Sequence, residues 1–110
     1  MVEEITQQNF IEKIIDSGTP SVIDFYAEWC SPCKLVSKTL EKLSSEYDGR
    51  VKFYKVSVTK NTTLAADLKI TQTPSVFFFK DLNNIELQKG VAKEEKLRKK
   101  IEALCPYLTF

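Results

Sequence analysis

Two cysteines, Cys30 and Cys33, stand three residues apart in the stretch AEWCSPCK (27–34), with Trp29 before the pair and Pro32 inside it. A C-x-x-C pair can ligate zinc, attach haem, hold an iron–sulfur cluster or exchange thiols with disulfides. The chain has 3 Cys and no His, which excludes cysteine–histidine hydrolases and mixed Cys/His zinc sites. Lys34, not His, follows the second cysteine, so the c-type haem signature fails. A structural zinc site wants four ligands, and beyond this pair only the distant Cys105 is available. Metal binding is thereby disfavoured, and thiol–disulfide exchange stays open.

A second residue is out of place. Asp24 interrupts SVIDFYA (21–27), a run otherwise apolar enough for a strand covered on both faces. Burial there disfavours the charged carboxylate and raises its pKa. A displaced titration beside a reactive pair marks a candidate acid or base, and the plain alternative is a structural ion pair.

These residues need a scaffold. Phe10, Ile11, Ile14 and Ile15 in TQQNFIEKIIDSG have helical spacing, with Thr6 as N-cap and Gly18 beyond the end. Residues 32–47 turn helical, with Val36, Leu40, Leu43 and Tyr47 on one face. VKFYKVSV is a second buried strand, NTTLAADLKI a short helix, and SVFFFK with IELQKG a hairpin about a DLNN turn. KEEKLRKKIEAL closes as a helix with Leu97, Ile101 and Leu104 inward. A short strand near Val2–Ile5 completes the set. The expected architecture is α/β, a mixed and mainly parallel sheet of four to five strands flanked by about four helices. The cysteines then fall where a strand ends and a helix starts, at the strand ends where open α/β sheets place their sites.

With 110 residues the chain fits one domain, 1–110, around one core. A net charge of +1 gives no footprint for nucleic acid or an anionic membrane, and no apolar run reaches membrane-spanning length. The N-terminal MVEEITQQNF lacks a basic, then apolar, secretory pattern, so a cytoplasmic location is expected. In a reducing compartment a cysteine pair is catalytic or metal-binding more often than structural.

VIDFYAEWCSPCK, TPSVFFFK and KGV, in that order, resemble the thioredoxin family along nearly the whole chain. The resemblance implies the thioredoxin fold and a protein-disulfide reductase with no bound cofactor. Its partners would be disulfide-containing proteins and an NADPH-dependent thioredoxin reductase, and the protein would be a monomer. Cys30, at the positive end of the helix dipole, is the expected nucleophile, and Cys33, one turn in, the resolving thiol. Pro32 suits the first helical turn. The Ser31 hydroxyl is expected to donate toward the Cys30 sulfur. Trp29 is either core filler or an apolar docking surface. The resemblance assigns Asp24 to proton transfer with Cys33 and sets Lys55 near it. It also implies a cis bond before Pro74, substrate pairing by the Thr73 backbone, and close substrate approach at Gly90. Cys105 is read as a packed residue at a helix end, with a regulatory or intermolecular thiol as the alternative.

The departures lie around the motif. Ser31-Pro32 replaces the family's usual Gly-Pro, Tyr26 a frequent Trp, and Lys38 a helix-kinking proline. Ser57, Thr59 and Lys60 stand where acidic residues are common. They leave the chemistry intact and bear on partner recognition. The rival functions are an oxidase or isomerase running the same chemistry in reverse, and a binding module with incidental or zinc-holding cysteines.

Overall fold

A computed structural model describes residues 1–105. Its strands are β1 (Glu3–Glu4), β2 (Ser21–Tyr26), β3 (Lys52–Ser57), β4 (Ser75–Asp81) and β5 (Asn84–Lys89), and its helices α1 (Ser31–Glu46), α2 (Thr62–Asp67) and α3 (Glu94–Ala103). The sheet order is β1-β3-β2-β4-β5. β3 runs parallel to both β1 and β2, β4 is antiparallel to β2, and β5 returns antiparallel to β4. Only β4 is therefore reversed among the five.

The strand period sorts side chains onto two faces. Val22, Phe53, Val76 and Phe78 meet Val36, Leu40 and Leu43 of α1 and Leu97 and Ile101 of α3. On the opposite face Ile23, Phe25, Val56, Phe77 and Phe79 pack with Phe10 and Ile14, against Leu64 and Leu68 at α2. The central strands are covered on both sides, which explains their near-continuous apolar sequences. The inward faces expected for α1 and α3 are the buried ones: Val36, Leu40, Leu43, Tyr47, Leu97, Ile101 and Leu104.

The N-terminal helix is a correction. Ile11–Ile15 form a single π-helical turn closed by the Asp16 N–H on the Ile11 carbonyl at 2.9 Å. The wider turn departs from the 3.6-residue spacing read from the sequence, and Ile15 packs partly buried against the core. Phe10 and Ile14 go into the core, while Ile11 is exposed. Thr6 is not a side-chain cap; its backbone N–H donates instead to Asn9 Oδ1 at 2.9 Å.

Candidate active site

β2 delivers the chain to the cysteines. It ends at Tyr26, and after a short turn Cys30 caps α1 with extended backbone. The Cys33 N–H donates to the Cys30 carbonyl at 3.1 Å and lies 3.2 Å from Cys30 Sγ. This donor is a backbone group, in place of the expected Ser31 hydroxyl. A proline in the first turn costs the helix no hydrogen bond, so Pro32 stiffens the loop without weakening α1. Cys30 and Cys33 form a disulfide with their Cα atoms 5.2 Å apart. Their surroundings differ: Cys33 is 2% exposed, whereas Cys30 is only half-buried. A disulfide partner approaching from outside meets Cys30 first.

Trp29 is 91% exposed, which removes the core-filler reading. Ser31 and Pro32 are also exposed, so the motif presents an open surface around Cys30.

Asp24 is 1% exposed in the middle of β2. Its register partners are Lys55 on β3 and Val76 on β4, so all three share the face covered by α1. The Ser37 hydroxyl of α1 donates to Asp24 Oδ2 at 2.5 Å, and Oδ1 is buried with no hydrogen-bond partner. Burial pushes the Asp24 carboxyl up to about 6, against opposing pulls from the Ser37 hydrogen bond and then the Lys55 charge. The expected direction and the expected winner both hold. The ion-pair alternative does not: the Lys55 ammonium lies 4.0 Å from Glu4 Oε1, and the Tyr26 phenol donates to both oxygens of Glu4 at 2.8 and 2.9 Å. Lys55 is a charged neighbour of Asp24 whose closest carboxylate contact is Glu4.

The Thr73–Pro74 peptide bond is cis, as the resemblance implied, and Pro74 is buried while Thr73 is half-buried. The Ser75–Phe25 pairing sets Pro74 at the end of the sheet where β2 leads into the cysteines. The Gly90 N–H donates to the Pro74 carbonyl at 2.8 Å, which ties the end of β5 to the start of β4. Gly90 has φ +82, and a Cβ there would meet Gln72 Nε2 at 3.3 Å, so glycine serves the backbone at this point. Cys105 is half-buried against the α1–α3 core, its Sγ 3.7 Å from the Ile101 carbonyl, and burial raises its thiol pKa.

Two site residues escaped the sequence reading. Ser37 carried a usable signal: it lies four residues after Cys33, hence on the same helical face and one turn on. Glu28 carried none. It accepts from Ser57 Oγ at 2.7 Å and Thr59 Oγ1 at 2.6 Å, with Lys60 Nζ 3.9 Å away. The residues that replaced the family's acidic positions thus anchor the motif loop to the end of β3. Those two hydroxyl bonds hold the Glu28 carboxyl below its usual range. Among the described residues no group of three or more His, Cys, Asp or Glu is placed to hold a metal ion, and no helix is long and apolar enough to cross a membrane.

Comparison with known proteins agrees with this geometry. The thioredoxin family model matches residues 1–103. Thioredoxin C-2 of Corynebacterium nephridii is 41% identical over 92 residues, 84% of this chain and 85% of that protein. The thioredoxin of Staphylococcus saprophyticus is 34% identical over 101 residues, covering 92% and 95% of the two chains. In solved structures, a chloroplastic thioredoxin z superposes with a TM-score of 0.85 at 30% identity, over 94% of this chain and 93% of that one.

Proposed function

The chain belongs to the thioredoxin family and is a dithiol–disulfide oxidoreductase acting on protein disulfides, and from that premise we propose how its residues divide the work. Cys30 is the nucleophile. As a thiolate, favoured by the N-terminus of α1, it attacks one sulfur of a substrate disulfide and forms a mixed disulfide. The departing substrate sulfur takes a proton from solvent. Cys33 gives its proton to Asp24 and attacks the Cys30 sulfur. The Cys30–substrate bond breaks and the second substrate thiol is released. The substrate gains two electrons, and the enzyme ends with the Cys30–Cys33 disulfide.

The observation that carries this division is the asymmetry of the pair. Cys30 caps the helix and is half-buried, while Cys33 is 2% exposed on the α1 face that reaches Asp24 through Ser37. Lys55 tunes the carboxylate by its charge. Trp29, Ser31 and Pro32 form the surface that meets the substrate. Thr73 supplies backbone groups for strand-like pairing, beside Pro74, and Gly90 lets the partner backbone come near. Regeneration falls to an NADPH-dependent thioredoxin reductase. The protein works as a cytoplasmic monomer, with residues 1–110 as one domain.

Trapping tests the assignment. Cys33→Ser should accumulate covalent enzyme–substrate adducts on non-reducing gels, and Cys30→Ser should accumulate almost none. Equal trapping by both variants would remove the division of roles. NADPH consumption with a thioredoxin reductase and a disulfide-bonded protein tests the regenerating partner. No turnover, together with stoichiometric zinc, would favour the binding-module alternative.

A further inference from the structure

Asp24 has two oxygens in different circumstances. Oδ2 receives the Ser37 hydroxyl at 2.5 Å, and Oδ1 is buried without a partner. Buried polar atoms normally have partners, so an orphaned carboxylate oxygen at a redox site needs a physical reason. Ser37 is itself fixed on α1, one turn beyond Cys33 and on the same face. A side chain donating from that turn holds the carboxylate against the helix that carries the resolving thiol.

We propose that Ser37 is a positioning residue for the reaction, holding Oδ2 so that the open Oδ1 is the atom that takes the Cys33 proton. This rests on the reading of Asp24 as the proton acceptor. The proton leaves Cys33 Sγ for Oδ1, the sulfur lone pair forms the Cys33–Cys30 bond, and the electrons of the Cys30–substrate bond leave with the substrate sulfur. Solvent supplies that sulfur's proton and later takes the one on Oδ1. No further oxidant or reductant enters.

A donated hydrogen bond stabilises the ionised carboxylate, so Ser37 also limits how far burial can raise its proton affinity. The other charged groups facing Asp24 are Lys55 from β3, which opposes the rise, and Glu4 of β1, which adds to it. Asp24 in turn acts on the Tyr26 phenol at the end of its own strand. β4 contributes the uncharged Val76, and α1 the Ser37 hydroxyl.

The experiment is single-turnover reduction of insulin by the reduced protein, with release of substrate from the mixed disulfide followed across pH. Losing a hydrogen bond to a charged group should move the midpoint of that step upward by about one pH unit in Ser37→Ala. Ser37→Thr, which keeps a hydroxyl donor, should restore it. Asp24→Asn should flatten the profile. A Ser37→Ala midpoint at the wild-type value, with Asp24→Asn flat, would overturn the role of Ser37 and leave Asp24 as acceptor. An unchanged profile in Asp24→Asn would overturn the acceptor assignment and this inference with it. Should Ser37→Ala fail to fold, NMR of the unmodified protein decides. The Ser37 hydroxyl proton should be protected from exchange and titrate with the Asp24 carboxyl carbon, and an unprotected hydroxyl overturns the proposal.

Discussion

Replacing Asp24 by Asn should make the protein more stable at neutral pH and slower at its work. The carboxyl is raised from its ordinary 3.8 to about 6 because folding strips it of water. The folded state therefore holds the proton more tightly than the unfolded chain. Below pH 3.8 the group is neutral in both states and costs nothing. Between 3.8 and about 6 the unfolded chain ionises while the folded one resists, so stability falls as pH rises. Above about 6 the penalty is constant. At 1.36 kcal/mol per pH unit it reaches roughly 3 kcal/mol. Asn has no such charge to bury. It does set an amide against the environment that left Oδ1 unpartnered, which costs about 1–3 kcal/mol at every pH. The pH dependence separates the two effects. Urea melts of the oxidised wild-type and Asp24→Asn proteins should show a stability difference that is flat below about pH 4. That difference should grow by roughly 3 kcal/mol toward pH 7 in favour of Asn. A difference that stays constant from pH 3 to 8 would mean that the buried carboxylate carries no ionisation penalty, and the reasoning from burial would be wrong.

Lys55→Met should raise the Asp24 pKa further, and Glu4→Gln should lower it, because the two charges act on the carboxylate with opposite signs; carboxyl carbon NMR titrations read both. Trp29→Ala should change stability by less than about 0.5 kcal/mol and raise KM for protein substrates about tenfold with kcat nearly constant, since an exposed aromatic supports docking and not folding. Leu40→Ala should cost about 2–5 kcal/mol in denaturant melts, because the side chain is 1% exposed in the α1 core and leaves a cavity. Ser31→Ala should leave the Cys30 thiolate titration, read by ultraviolet absorbance, where it is, since the hydrogen bond at Cys30 Sγ comes from a backbone N–H.

Much of the scaffold was legible because its burial is regular. β2 and β3 are enclosed on both faces and read as apolar runs, and α1 and α3 each bury one clean stripe. The cysteines and Asp24 stood out for a related reason, since each breaks a local rule that packing alone would enforce. The π-helical turn at Ile11–Ile15 was hidden because its sequence is compatible with an ordinary helix, and its core partners, Phe77 among them, are distant in the chain. Glu28 was hidden for a different reason. Its partners Ser57 and Thr59 lie 29 and 31 residues away, and nothing in a surface glutamate's own neighbourhood announces such contacts. The cis bond before Pro74 came from family likeness, because a proline heading a strand suits either isomer.

α1 is chemical at one end and electrostatic at the other. In its C-terminal half, Arg98 of α3 bridges Glu46 and Glu94, Lys42 reaches Glu94 at 2.9 Å, and the Tyr47 phenol donates to Glu102 at 3.0 Å. The ion pairs among them reach solvent and are open to screening by salt, whereas the Tyr47–Glu102 bond is part-buried. The cysteine end rests mainly on a buried core and on hydroxyl donors to Asp24 and Glu28, with Lys60 farther out at 3.9 Å from Glu28. Ionic strength therefore acts on the grip between the two long helices about four turns of helix away from the sulfur chemistry. Surface charge can thus be varied where α3 docks without touching the side chains around the redox pair.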